Sequence, residues 1–170
     1  MTKRRRPGSG RDGYRGRVAL LDLTRSDDRH TSGRLSAEPV IWLSTVTPDR
    51  RPHSVPVWFA WQDPVILIFS MPGTAKVRNL RGTPSVHLAL DSADAGRDIV
   101  LAEGHAALVT DADPRLPPLA ARFREKYAPS LGSLSFPQWR STFSQPLLID
   151  VDRIIAWTRT AAGLTYRTRP

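Results

Sequence analysis

The chain has 170 residues and no cysteine, and its 25 Lys and Arg against 16 Asp and Glu give a formal net charge of +9. The length is typical of one domain, and the lack of cysteine excludes disulfides, thiolate metal sites and a cysteine nucleophile. No apolar run approaches the ~20 residues that a membrane helix needs, so we expect a cytoplasmic protein without a membrane partner.

The positive charge is concentrated near the N-terminus, where residues 1–33 carry nine basic and four acidic side chains. Residues 1–17 are rich in Arg, Gly and Ser with almost no apolar side chain, which is typical of disorder. We therefore divide the chain into a disordered basic tail at residues 1–27 and a folded domain at residues 28–170. The tail has one aromatic residue for stacking on bases, Tyr14. We expect no nucleic-acid partner, and a nucleic-acid-binding arm is the alternative.

Short helices and strands separated by polar turns are predicted along the domain. Residues 53–62 alternate between two substantial faces, which predicts one continuous strand, and the Asp63-Pro64 turn after them predicts a hairpin with the next strand. In chain order we predict a helix at 28–37, strands at 40–47, 53–62 and 65–70, a helix at 74–81, strands at 85–90 and 99–109, helices at 113–127 and 135–143, and strands at 147–158 and 163–168. Six or seven antiparallel strands with few helices predict a mainly β fold, a small β-barrel with Greek-key connections.

The sequence contains no recognisable constellation for metal binding or hydrolysis. None of the histidines (His30, His53, His87 and His105) is paired with another at a metal-ligand spacing, so we expect no metal. The motifs of serine hydrolases, zinc proteases and P-loop proteins are absent. The catalytic residues therefore stay unassigned.

One segment, residues 69–80, indicates an anion site. A strand ends there, a Pro-Gly turn follows, and a helix begins with Thr74 as a candidate N-cap. Acidic side chains are favoured in the first turn of a helix, yet Lys76 and Arg78 occupy it here. With the free backbone N–H groups and the hydroxyls of Ser70 and Thr74, these cations predict binding of an external anion. The alternative is a solvated helix face without a ligand.

Three motifs in this region also resemble a known family. They are His53-Ser54-Val55-Pro56-Val57-Trp58-Phe59, the segment from Phe69-Ser70 to Asn79-Leu80, and Thr83-Pro84-Ser85-Val86. They resemble the FMN-binding split barrels of the pyridoxamine 5'-phosphate oxidase-like superfamily, in particular its branch of coenzyme F-420-dependent oxidoreductases. The resemblance covers residues 41–103 well and continues more weakly to Trp157. One departure is Arg50, which stands where family members carry glycine.

The resemblance implies a split β-barrel homodimer with two cofactor sites at the subunit interface. It implies hydride transfer from the reduced deazaflavin coenzyme F-420 to a small organic substrate, with FMN as the alternative cofactor. A non-catalytic flavin or deazaflavin carrier or sensor is the alternative function. The residues it places at the cofactor are Ser54, Val55, Pro56 and Val57 along the ring, Trp58 as a pocket wall, and Ser70, Thr74, Ala75 and Lys76 at the phosphate, supported by Arg78 and Asn79. The anion site and the implied phosphate site coincide.

Overall fold

The computed structural model describes residues 19–160 and 163–169 of the chain, and within them it contains four α-helices and eight strands. The helices are α1 (Ser26–Ala37), α2 (Ala75–Gly82), α3 (Leu116–Tyr127) and α4 (Phe136–Thr142). The strands are β1 (Ile41–Val46), β2 (Pro52–Val57), β3 (Ala60–Gln62), β4 (Val65–Ser70), β5 (Ser85–Leu90), β6 (Asp98–Leu108), β7 (Gln145–Thr160) and β8 (Gly163–Arg169). None of the described helices is both long and apolar enough to cross a bilayer.

The strands form one antiparallel sheet in the order β2-β1-β5-β6-β7-β4-β3, with β8 paired to β7. Its two end strands, β2 and β3, are consecutive in the chain and are joined by only Trp58 and Phe59. Because two residues span only ~7 Å, the two ends of the sheet must lie next to each other. The sheet therefore curls into a barrel that is split between β2 and β3, which confirms the predicted mainly β, split-barrel fold.

The prediction of one continuous strand over residues 53–62 was wrong. β2 pairs with β1, whereas β3 pairs with β4. Between them, the backbone N–H of Phe59 donates to the hydroxyl of Tyr127 (2.9 Å) instead of to a neighbouring strand. This break raises the number of strands to eight, and the predicted hairpin with residues 65–70 begins only at Ala60.

Strand β4 separates two hydrophobic cores, and all six of its residues are buried. Ile66 and Ile68 face the barrel core, whereas Leu67 and Phe69 face a second cluster formed with α3 and α4. Burial on both faces explains the unbroken apolar run of this strand. The end of β4 therefore lies where the two cores meet.

Two residues of the segment assigned to the basic tail contact the domain. The backbone N–H groups of Leu20 and Leu21 both donate to the carboxylate of Asp63 (2.9 Å each), and the side chain of Leu21 is buried in the barrel core. The division into a tail at residues 1–27 and a domain at residues 28–170 stays a prediction. The predicted disorder of residues 1–17 concerns a segment outside the described residues and stays a prediction.

The turn between β1 and β2 contains the departure noted in the sequence. Arg50 has a φ of 62°, in the left-handed region that favours glycine. Its backbone N–H donates to the carbonyl of Thr47 (2.8 Å), so the turn keeps its shape with a non-glycine residue. Arg50, a non-glycine residue at a positive φ, therefore introduces local backbone strain in this turn.

Candidate functional site

A cavity of about 370 Å³ lies at the split of the barrel, where the ends of β2 and β4 meet α2 and α4. Its volume is within the range of small-molecule sites. Its lining residues are Val40, Pro56, Val57, Trp58, Phe69, Ser70, Met71, Thr74, Lys76, Trp139 and Phe143. Six of the predicted cofactor residues line this one cavity: Pro56, Val57, Trp58, Ser70, Thr74 and Lys76.

One end of the cavity is polar and is built from the β4–α2 connection. The hydroxyls of Ser70 and Thr74 are 3.0 Å apart, and each is 3.1 Å from the carbonyl oxygen of Met71. Thr74 is the N-cap residue of α2, as predicted, but its side chain makes no capping hydrogen bond. The first helical hydrogen bond runs from Arg78 N–H to Thr74 carbonyl. The backbone N–H groups of the first turn therefore remain available to a ligand.

Lys76 lies in this first turn and lines the cavity. Within the described part of the chain, no hydrogen bond or ion pair engages its ammonium group. Burial lowers the pKa of Lys76 because desolvation penalises the charged form. The first turn also contains no acidic residue. An uncompensated, partly desolvated cation at an uncapped helix start favours an anionic ligand.

The other end of the cavity is a wall of nearly parallel aromatic rings. The ring centroids of Trp58 and Trp139 are 5.8 Å apart with planes at 18°, and those of Trp139 and Phe143 are 4.5 Å apart with planes at 16°. Behind this wall, Tyr127 stacks on Trp58 with a centroid distance of 4.4 Å and an angle of 5°. These rings give the cavity an apolar, aromatic lining of the kind that binds planar conjugated groups.

Five predicted cofactor residues do not line the cavity: Ser54, Val55, Ala75, Arg78 and Asn79. The hydroxyl of Ser54 pairs with that of Ser44 at 2.7 Å on an exposed part of the sheet. Arg78 is exposed and donates to the carbonyl of Gly73 (2.6 Å). Asn79 is buried, and its amide donates to the hydroxyl of Thr45 (3.0 Å), which ties α2 to β1. Contacts of these five residues with a cofactor stay predictions.

Sequence reasoning missed the contribution of α4. Trp139 and Phe143 line the cavity, although they lie far along the chain from the motifs that indicated the site. The signal was present, because Phe136, Trp139 and Phe143 follow each other at spacings of three and four residues, which place them on one helix face. A capping box formed by Ser135 and Gln138 fixes the start of this helix.

The donor set fits a phosphorylated ring cofactor better than a metal. Among the described residues, no group of three or more His, Asp or Glu side chains is placed to hold a metal ion. Of the described lining residues, Lys76 alone is ionisable. Ser70, Thr74 and Lys76 would hold a phosphate, and Trp58 with Trp139 would face the ring.

Several solved structures have the same fold. A conserved hypothetical protein of Mycobacterium tuberculosis is similar with a TM-score of 0.63 at 22% identity, over 79% of this chain and 88% of that one. An FAD-binding protein of Mesorhizobium loti has a TM-score of 0.58 at 20% identity, over 74% and 88%. An F-420 reductase has a TM-score of 0.52 at 24% identity, over 69% and 88%. No curated protein sequence matches the chain.

The family is shown by the sequence itself. The profile described as pyridoxamine 5'-phosphate oxidase matches residues 28–154, which is most of the chain and includes every residue that lines the cavity. The described split-barrel fold agrees with that match. The chain therefore belongs to the pyridoxamine 5'-phosphate oxidase family.

Proposed function

We propose that this protein is an oxidoreductase that binds the deazaflavin coenzyme F-420 in the cavity at the barrel split and reduces a small organic substrate. The observation that carries the proposal is Lys76, which has no partner among the described residues and lies at an uncapped helix start opposite an aromatic wall. An anion at one end and a planar ring at the other are the two parts of a phosphorylated flavin or deazaflavin.

Coenzyme F-420 is preferred over FMN for two reasons. The sequence motifs resemble the F-420-dependent branch, and one neighbour in fold is an F-420 reductase. The coenzyme also carries carboxylates beyond its phosphate, and the exposed cations Arg78 and Arg81 on α2 provide positive charge for them. FMN remains the alternative because a flavin-binding neighbour, the FAD-binding protein, shares the fold with a higher TM-score than the F-420 reductase.

The residues of this chain act by position in the proposed reaction. When bound, the cofactor supplies the hydride, as is general for redox enzymes of this kind. Lys76 and the first-turn N–H groups of α2 hold the phosphate, and Trp58 and Trp139 exclude water from one side of the ring. These roles agree with a lining that, among the described residues, contains no histidine or carboxylate to activate the hydroxyls of Ser70 and Thr74 as nucleophiles.

Binding of two chains would complete the site. The outer sheet face carries an apolar row in register across five strands: Pro56, Trp42, Ala89, Leu101 and Ile155. The side chain of Trp42 is 40% exposed, and Pro56 also lines the cavity. A homodimer formed through this row would therefore bring the partner to the cavity mouth.

Sedimentation equilibrium should give twice the 18.9 kDa of one chain, and Trp42→Arg should shift the protein to the monomer. A monomeric wild-type protein refutes the dimer.

Equilibrium titration with coenzyme F-420 and, separately, with FMN tests the cofactor. We expect tighter binding of F-420, followed by fluorescence, and oxidation of the reduced coenzyme when a suitable acceptor from a panel of enones, nitro compounds and quinones is added. Tighter binding of FMN selects the alternative cofactor. Binding without turnover on any acceptor favours a carrier or sensor, and no binding of either compound refutes the proposal.

A further inference from the structure

The two residues that link β2 to β3 are Trp58 and Phe59, and the backbone of this link is hydrogen-bonded to a side chain of α3. Tyr127, the last residue of α3, is 2% exposed, and its hydroxyl accepts a hydrogen bond from the backbone N–H of Phe59 (2.9 Å). The same hydroxyl lies 2.7 Å from the carbonyl oxygen of Pro39 and 3.0 Å from that of Phe59. Because it has one proton, it donates to one of these two carbonyls at a time.

The ring of Tyr127 makes a second contact on the same link. It stacks on the indole of Trp58 at 4.4 Å with planes 5° apart. Trp58 lines the cavity, whereas Tyr127 does not, and Val40, the residue after Pro39, lines the cavity too. The hydroxyl and the ring of Tyr127 therefore fix the backbone and the side chain behind one wall of the site.

We propose that Tyr127 is a positioning residue that sets the orientation of Trp58, and through it the affinity of the cavity for the cofactor ring. The inference rests on the proposed function and adds a residue that does not touch the ligand. Burial raises the pKa of Tyr127 to about 12. The phenol thus keeps the proton that it donates throughout the physiological range.

A double-mutant cycle in the full chain tests the inference. Tyr127→Phe keeps the ring and removes the hydroxyl contacts. We expect about tenfold weaker binding of riboflavin and of FMN alike, since the change acts on the ring and not on the phosphate; tenfold corresponds to about 1.4 kcal/mol. In a Trp58→Ala background, Tyr127→Phe should have no further effect on affinity, because the residue acts through Trp58. Additive losses in the cycle overturn the inference.

A control variant separates positioning from general stability. Leu116→Val changes a buried residue at the other end of α3, in the same core cluster but outside the cavity lining. It should lower the free energy of unfolding and leave riboflavin affinity unchanged. Equal loss of affinity in the Leu116 and Tyr127 variants at equal loss of stability overturns the positioning role.

A spectroscopic readout distinguishes the inference from the proposed function. The near-UV circular dichroism of Trp58 in the ligand-free protein is obtained as the difference between wild type and Trp58→Phe. We expect Tyr127→Phe to reduce that signal and Leu116→Val to leave it intact. An unchanged signal overturns the inference. If the signal depends on Tyr127 while the wild-type protein binds no flavin or deazaflavin, the proposed function fails and the positioning of Trp58 stands.

Discussion

Replacing Lys76 by methionine removes the ammonium group from the cavity while keeping most of the aliphatic stem. In the free protein this cation is partly desolvated, and burial lowers its pKa. A hydrogen bond to a charged group contributes about 1.5–3 kcal/mol. Because the cavity is open at one end and the helix N–H groups remain in Lys76→Met, we take the lower part of this range, about 1.5–2 kcal/mol. FMN or F-420 should then bind about 10- to 30-fold more weakly.

The assay compares ligands with and without the phosphate. Riboflavin is FMN without its phosphate, and the deazaflavin nucleoside is F-420 without its phosphate and the carboxylates attached beyond it. Lys76→Met should weaken only the phosphorylated member of whichever pair binds. Arg124→Met is the control, because Arg124 is an exposed cation on α3 that does not line the cavity. Equal losses for both members of a pair, or equal losses in both variants, refute the assignment of Lys76 to the phosphate.

The lowered pKa also gives a pH signature for the same residue. A bound phosphate favours the charged ammonium and raises the pKa of Lys76 again, so binding takes up protons at alkaline pH. Affinity for the phosphorylated ligand should therefore fall as the pH rises through the lowered pKa of the free protein. The Lys76→Met protein should lack that fall, and a wild-type profile without it contradicts the reasoning.

Variants at four further positions test the fold. At Gly104, an added Cβ would lie 2.2 Å from the carbonyl oxygen of Asp150. Gly104→Ala should therefore lower the free energy of unfolding in urea by about 3 kcal/mol. Gly82→Ala, which has open space around it, should leave that free energy unchanged or raise it slightly. Arg50→Gly removes the strain of a positive φ, about 1–2 kcal/mol, but glycine also raises the entropy of the unfolded chain. The free energy of unfolding should therefore rise by up to about 1 kcal/mol. A lower free energy of unfolding contradicts strain at this turn. Burial lowers the pKa of Lys126 to about 8. The unfolded chain therefore binds more protons between about pH 8 and 10.5, and wild-type stability rises with pH over that window. Lys126→Met should raise the free energy of unfolding relative to wild type, most strongly below about pH 8 and less above it. A gain that does not depend on pH contradicts the burial argument.

Local chemistry made much of the fold and part of the site predictable. The start of α4 follows from the reciprocal hydrogen bonds of Ser135 and Gln138, which are three residues apart. The polar end of the cavity is similarly local, because Ser70, Thr74 and Lys76 lie within one strand-to-helix connection. Such features depend on neighbours in sequence, so a single sequence contains their signal.

The remaining features depend on contacts that are distant in sequence. The alternation of residues 53–62 continues through Trp58 and Phe59 as it would in one strand. The break occurs because Tyr127, 68 residues away from Phe59, takes up the backbone groups of that residue. The aromatic wall likewise brings Trp58 next to Trp139 across the second core. No periodicity within either segment indicates that the two meet.

The closure of the barrel and the formation of the cavity depend on the same contacts. β2 and β3 are the two edge strands of the sheet and do not pair with each other, so backbone hydrogen bonds between strands do not hold the split. Side chains of α3 and α4 that pack against β4 and Trp58 hold it instead. A ligand that touches Trp58, Ser70 and Trp139 together would connect the β2–β3 link, β4 and α4 at this split. Binding to the folded state alone adds about 2.7 kcal/mol of stability at a ligand concentration of 100 Kd. The stabilisation would act at the split, where the two edge strands do not pair with each other. Binding of a cofactor there would therefore be coupled to closure of the barrel.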